Sequence, residues 1–209
     1  MSSFDLKLGF KCNNNCVHCV IADKRQCGQL SLDEIKRIID SAPDGLSVQV
    51  TGGEPSLRLD LPEILKYCKE KGHDIIIQTN GTGFADMNLV KACKPYLGHV
   101  HVAIHSCKEE VHDAVVQSKG MWQKTIQGFK NLISEGVFVT TQTVLSKYNI
   151  TTLYDTFAFI QNLSPGTHMS MTYPHLGGNA WKFRDKVAFR YSDYKEEIQK
   201  TLRDFGHFI

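Results

Sequence analysis

Cys12, Cys16 and Cys19 share one short loop, Cys12-Asn13-Asn14-Asn15-Cys16-Val17-His18-Cys19. Three thiolates so spaced are metal-binding chemistry. The pattern Cx3CxxC suits an iron–sulfur cubane held at three corners, with one iron open to another ligand. A structural zinc site would close its sphere with a fourth ligand, which His18 or Cys27 would have to supply; three unligated thiols is the blander alternative. A second stretch, Thr51-Gly52-Gly53-Glu54-Pro55, offers two glycines that let backbone approach a ligand closely, a carboxylate, and a proline-stiffened exit. Many β–α turns are glycine-rich, so the position of this turn is what counts.

The elements around these motifs alternate strand and helix from end to end. Strands are expected at Phe4–Phe10, Leu46–Thr51, Asp74–Thr79, His99–His105, Val137–Val144 and Thr167–Tyr173. Ser31-Leu32-Asp33-Glu34 has the form of a capping box, followed by Ile35, Ile38 and Ile39 on one face. Asp60 precedes a helix that turns Leu61, Ile64, Leu65 and Cys68 inward and stops at Gly72. Met121–Glu135 carries an apolar stripe and ends at Gly136; Leu153, Phe157 and Ile160 mark another helix, and Tyr194, Ile198, Leu202 and Phe205 the last. The stretch 82–95 is also read as helical. Six β-then-α units imply parallel strands with right-handed crossovers. Six are too few for a closed barrel of eight, which needs about 250 residues. The expected fold is therefore an α/β, open six-stranded (βα)6 partial TIM barrel, a single domain over residues 1–209; a flat doubly wound sheet is the alternative. Either places the active site at the carboxyl ends of the strands. The two motifs then follow neighbouring strands.

The strand faces add a further expectation. Leu46, Val48 and Val50 alternate with Ser47, Gln49 and Thr51, and Val100, Val102 and Ile104 with His99, His101, Ala103 and His105. If the apolar set packs under the helices, the other lines a polar lumen whose groups need partners, such as a wet cavity with a polar ligand.

Composition narrows the function classes. With Lys+Arg 24 against Asp+Glu 22, nothing marks a phosphate-backbone binder. No run approaches the ~20 apolar residues of a membrane span, and the N-terminus lacks a signal peptide's apolar stretch. Seven cysteines, an odd number without a secretory signal, argue against a disulfide framework. A cytoplasmic setting is expected. At 209 residues the chain can bury about 70% of its unfolded surface.

Taken together, Cx3CxxC after the first strand, Gly-Gly-Glu-Pro after the second, Thr79-Asn80-Gly81 after the third and His105-Ser106 after the fourth resemble the radical S-adenosylmethionine (radical SAM) superfamily. The resemblance implies an enzyme in which Cys12, Cys16 and Cys19 hold a [4Fe–4S] cluster while the methionyl group of S-adenosylmethionine chelates its open iron. Gly52, Gly53 and Glu54 would meet the methionyl amine, Glu54 being matched by charge to an ammonium. One electron then breaks the sulfonium–C5′ bond, and the 5′-deoxyadenosyl radical abstracts a substrate hydrogen. Asn80, His105 and Ser106 would touch the cofactor's ribose or carboxylate, and Val17, His18 and Val20 would pack near the adenine. Many relatives carry an arginine after a His-Asp pair; here His112-Asp113 is followed by Gln117 and Lys119, either of which could take over that carboxylate contact, Gln117 being the first candidate. Lys7, His101 and His168, on the lumen set, are the candidates for substrate contact or proton transfer. A flavodoxin- or ferredoxin-type donor would supply the electron.

The substrate is less defined. The run from Gly120-Met121-Trp122 to Gly177-Gly178-Asn179-Ala180 is similar to peptide maturases and molybdenum-cofactor-type cyclases, which points to a peptide or protein side chain. A small-molecule enzyme of the deazaguanine-forming type is the rival, and a non-catalytic iron–sulfur or zinc module the reading from another class. Cys68 and Cys93 fit core positions, and Cys107 follows the fourth strand. The chain is expected to lack the C-terminal auxiliary-cluster domain common among peptide-modifying relatives. Its apolar finish, Phe205 to Ile209, leads to the expectation of a shortened chain or one completed by a partner.

Overall fold

The structure, a computed structural model, describes residues 3–209. Six strands, β1 (Ser3–Lys7), β2 (Ser47–Thr51), β3 (Asp74–Thr79), β4 (His99–Ala103), β5 (Val139–Val144) and β6 (His168–Thr172), form one open sheet in sequence order. Pairing is parallel from β1 to β4 and from β5 to β6. At β4 and β5 the Val100 N–H donates to the Phe138 carbonyl (3.0 Å) and the Ile104 N–H to that of Gln142 (3.1 Å). The helices are α1 (Leu32–Ser41), α2 (Leu61–Glu70), α3 (Met87–Cys93), α4 (Glu109–Val116), α5 (Met121–Ser134), α6 (Leu153–Leu163), the short α7 (Asn179–Lys182) and α8 (Arg184–Val187), and α9 (Lys195–Phe205). This is the open, six-stranded parallel α/β fold that the alternation of elements implies.

Local chemistry accounts for the boundaries. Ser31 and Glu34 close the capping box of α1: the Ser31 N–H donates to Glu34 Oε2 (2.8 Å) and the Glu34 N–H to Ser31 Oγ (3.3 Å). Asp60 precedes α2 but does not cap it; its carboxylate is taken by Arg58. The strand β1 ends at Lys7, not Phe10, because Gly9 adopts φ 141° and bridges Gln29 in an antiparallel sense. Helix α4 was not foreseen from the sequence. It has only eight residues, and the three it buries, His112, Val115 and Val116, leave little periodic signal.

Two compact units are distinguishable, one of Met1–Cys12, Lys24–Val102 and Lys124–Val139, the other of Asn13–Asp23, Ala103–Gln123 and Thr140–Ile209. In the first, Leu6, Val48, Val50, Ile75, Ile77, Val100 and Val102 are at most 1% exposed and form the strand side of the core. The opposite strand face carries a polar row. Lys7 lies opposite Thr51, and Gln78 opposite His101. Thr51 Oγ1 reaches Gln78 Oε1 (3.4 Å), and Asp5 accepts from Lys7 Nζ (3.2 Å) and Gln49 Nε2 (3.2 Å). In the second unit Val17, Val115, Ala180 and Val187 make a small apolar cluster. The Phe205 ring rests 5.3 Å from Tyr154 and 6.1 Å from Phe157, so part of the apolar finish is covered. Leu202 of α9 is 40% exposed. No helix among the described residues is long and apolar enough to cross a membrane.

Candidate cofactor site

In the first unit the diglycine turn closes on the chain itself. The Gly53 N–H donates to the Gly9 carbonyl (2.8 Å) and the Glu54 N–H to that of Lys11 (2.9 Å). A Cβ on Gly52, which sits at φ 132°, would collide with the Gly9 carbonyl oxygen, and one on Gly53 with that of Lys11. The close approach the two glycines permit is therefore to residues 9–11, the run that leads into Cys12. This is a reason for glycine that the sequence does not display.

Glu54 is buried, and its carboxylate is held by four donors. Oε1 accepts from the Ser56 N–H (3.0 Å), Ser56 Oγ (2.6 Å) and Thr79 Oγ1 (2.5 Å), and Oε2 from the Asn80 N–H (2.6 Å). Burial pushes its pKa up, and these hydrogen bonds oppose that rise. Glu54 thus ties the end of β2 to the end of β3. A carboxylate has about four lone-pair sites; three of the donors crowd Oε1, so any further cation would be met at Oε2. Asn80 is fixed in turn: its Oδ1 accepts from the Thr82 N–H (3.0 Å) and hydroxyl (2.7 Å), and its carbonyl from Thr125 Oγ1 of α5 (2.8 Å). Gly128 lets α5 lie against this turn, since a Cβ there would meet the Gly81 carbonyl oxygen.

Three imidazoles line up in the second unit. The His18 ring centre lies 4.7 Å from that of His105, and His105 lies 5.5 Å from His112. Burial lowers the pKa of His18 and of His112 to about 4, and that of His105 well below its ordinary value, so all three are neutral near pH 7. The His105 backbone N–H donates to His112 Nδ1 (3.3 Å), which places the His112 proton on Nε2. Among the described residues, His18 Nδ1, His105 Nδ1 and His112 Nε2 are buried without a hydrogen-bond partner. Such atoms carry a desolvation cost that a polar ligand would remove. Asn149, 1% exposed, fixes the strand end: its Nδ2 donates to the His105 carbonyl (2.9 Å) and the Val144 carbonyl (3.0 Å).

Other residues singled out from the sequence are placed as follows. Cys12, Cys16 and Cys19 are half-buried thiols. Val17 is fully buried in the apolar cluster, while Val20 is exposed. The Ser106 hydroxyl is turned inward, meeting Thr152 Oγ1 (3.0 Å) and accepting from the Lys108 N–H (3.1 Å). Gln117 takes a left-handed conformation (φ 53°) after α4, and its amide donates to the Ala114 carbonyl (2.6 Å). Asp113 accepts from the Gly120 and Trp122 N–H groups at the start of α5. Lys7 pairs with Asp5. His101 lies 4.1 Å from the His99 ring, and burial lowers its pKa. His168 opens β6 at its amino end and is exposed. Sequence reasoning gave no role to Arg58, which donates to the carbonyls of Leu8 (3.1 Å) and Leu30 (2.8 Å) as well as to Asp60. Asn149 carries no local signal, and Asn179 stands out only within the run Gly177-Gly178-Asn179-Ala180. A lone polar residue spent on backbone carbonyls leaves no periodic trace.

An open parallel α/β sheet, a three-cysteine loop and a diglycine turn at a strand end define a class of cofactor-dependent protein. The family model of the radical SAM superfamily matches residues 6–160, and the chain belongs to that superfamily. It is 32% identical over 145 residues to the Fe-coproporphyrin III synthase of Methanosarcina barkeri, covering 67% of this chain and 36% of that protein. It is 28% identical over 209 residues to the antilisterial bacteriocin subtilosin biosynthesis protein AlbA of Bacillus subtilis, covering 97% and 46%. In fold it is similar to SuiB of Streptococcus suis, with a TM-score of 0.77 to the form bound to S-adenosylmethionine (16% identity, 98% of this chain, 48% of that one). Against the form bound to the precursor peptide SuiA the TM-score is 0.75 (17% identity, 98% and 46%). The chain thus spans from about a third to about half the length of these relatives.

Superfamily members are enzymes that use a [4Fe–4S] cluster and S-adenosylmethionine, and the residues present fit these groups. Three thiols on one loop leave a cubane with one open iron, and the unpartnered His18 and His105 nitrogens call for polar contacts. Among the described residues no three His, Cys, Asp or Glu side chains converge on one metal ion. A cubane, whose irons take separate thiolates, does not ask them to.

Proposed function

We infer that this chain is the radical SAM domain of an enzyme that abstracts a hydrogen atom from a peptide or protein side chain. The cysteine loop carries this reading, with Cys12, Cys16 and Cys19 as the thiolates that hold the cluster. When bound, cluster and S-adenosylmethionine supply a reductively generated 5′-deoxyadenosyl radical; the protein's part is to bind, orient and exclude water. The Gly52–Glu54 backbone and Glu54 Oε2 receive the methionyl ammonium. Because four donors already fix the carboxylate, it is pre-set for that contact without moving. His105, neutral through burial, offers Nδ1 to the cofactor, and Asn80 adds a polar contact at the end of β3. On the polar strand face, Lys7 and His101 meet the substrate, the neutral His101 being able to accept a proton. The electron comes from a flavodoxin- or ferredoxin-type protein.

Two relatives support a peptide substrate: the bacteriocin biosynthesis protein AlbA, alignable along 97% of this chain, and SuiB, solved with a precursor peptide. A second reading, formation of a porphyrin, is favoured by the 32% identity to Fe-coproporphyrin III synthase. The test is anaerobic reconstitution followed by dithionite and S-adenosylmethionine. Wild-type protein is expected to bind about four irons and to yield 5′-deoxyadenosine. Product from Cys16→Ala, or zinc as the sole bound metal of the wild type, would overturn the assignment. Stimulation of 5′-deoxyadenosine formation by a precursor peptide supports the first reading, and formation of Fe-coproporphyrin III from a tetrapyrrole precursor the second.

A further inference from the structure

The loop between Cys16 and Cys19 is shaped by the protein before any cluster is present, and one buried amide does much of the shaping. Asn179, 4% exposed, opens α7. Its Nδ2 donates to Asn15 Oδ1 (2.9 Å), the Cys16 carbonyl (3.0 Å) and the Asn15 carbonyl (3.4 Å), and its backbone N–H donates to the Cys19 carbonyl (2.9 Å). One residue therefore grips the backbone at both cysteines. Gly178, at φ 53°, completes the grip: a Cβ there would lie 2.5 Å from the Cys19 carbonyl oxygen and 2.8 Å from that of Val20. On the loop's other side the Asn15 and Val17 N–H groups donate to the Val116 and Val115 carbonyls (2.9 Å each) at the end of α4. Below it, Val17 packs with Ala180 of α7 and Val187 of α8.

The structure assigns Asn179 as a positioning residue for the cluster loop. By donating to carbonyls on either side of Cys16, it turns those oxygens away from the loop's interior and sets the direction in which the Cys16 and Cys19 side chains leave the backbone. The role depends on donation, not volume. Asn179→Ala removes the donors, whereas Asn179→Asp keeps the shape but points acceptor oxygens at carbonyls, so it is the more damaging change.

The assignment rests on the radical SAM reading for its purpose, but its geometry is tested in the cluster-free protein. Hydrogen–deuterium exchange of the apoprotein should show residues 15–19 protected in the wild type. Protection there falls about tenfold or more in Asn179→Ala and further in Asn179→Asp, with α6 and α9 unchanged. After anaerobic reconstitution both variants should hold less iron, and the reduced cluster that forms should give a shifted electron paramagnetic resonance spectrum. Wild-type exchange in both variants, or loosened exchange with wild-type iron content and spectrum, overturns the assignment. If Asn179→Asp does not fold, Gly178→Ala, which presses on the Cys19 carbonyl from the same side, takes its place with the same readouts. A wild type that takes up no iron while its loop still loosens without Asn179 would defeat the proposed function and the cluster role, and leave only the loop clamp.

Discussion

Replacing Glu54 by Gln isolates the carboxylate that joins β2 to β3. Gln keeps the shape and an oxygen for the Ser56 and Thr79 donors, but puts an NH2 group where Oε2 accepts the Asn80 N–H. That bond, short and to a charged acceptor, contributes about 1.5–3 kcal/mol, and the Asn80 N–H loses its partner. The variant escapes the burial penalty that raises the Glu54 pKa, which offsets part of the loss. The net destabilisation is then about 2 kcal/mol near pH 7, or about 4–8 °C in Tm for a chain of this size. The sign of the pH dependence follows from the same shift. A carboxyl whose folded pKa lies above its ordinary 4.5 binds its proton more tightly folded than unfolded, so stability falls as pH rises from 4.5 through the folded value. Gln has no such slope, so its deficit should shrink as pH climbs across that window. Thermal unfolding of the reduced apoprotein by near-ultraviolet circular dichroism, wild type against Glu54→Gln at each pH, measures the difference directly. A deficit that widens with pH would mean that the four donors outweigh burial, and a variant as stable as the wild type at every pH would refute the tie itself.

Two further predictions test the surrounding framework. Arg58→Lys keeps the charge but cannot serve Asp60 and the Leu8 and Leu30 carbonyls together; a loss of about 2 kcal/mol is expected, read from the urea midpoint, and an unchanged midpoint would deny Arg58 its clamping role. His112, lowered by burial from 6.5 to about 4, contributes stability that is complete above pH 6.5 and lost as pH falls toward 4, by about 3 kcal/mol. Asn at that position can still accept the His105 N–H, so a pH titration of Tm should show a shallower acid loss for His112→Asn, and equal slopes would contradict the burial argument.

The strands were legible from their β-branched residues: the run Ile75 to Ile77 and the alternation of Val100, Val102 and Ile104 announce themselves. The Ser31–Glu34 capping box was legible too, being a local motif with a fixed spacing. The end of β1 was missed because a single backbone torsion, at Gly9, decides it. Of the candidate site, the cysteines and the diglycine turn stood out by residue type and spacing. The inward turn of Ser106 onto Thr152, the burial of Val17 and the grip of Asn149 did not. Each depends on which partner a polar or apolar group meets across many residues of chain, and neither periodicity nor composition encodes that.

The diglycine turn and the residues that lead to the first cysteine interlock so closely that neither can be altered by itself. A bulkier residue at position 52 or 53 would demand retreat at 9 or 11, so sequences that drift at one place must drift at the other. An engineer transplanting the cysteine loop to a new scaffold would have to carry the turn with it, as a single part made of two distant pieces of chain.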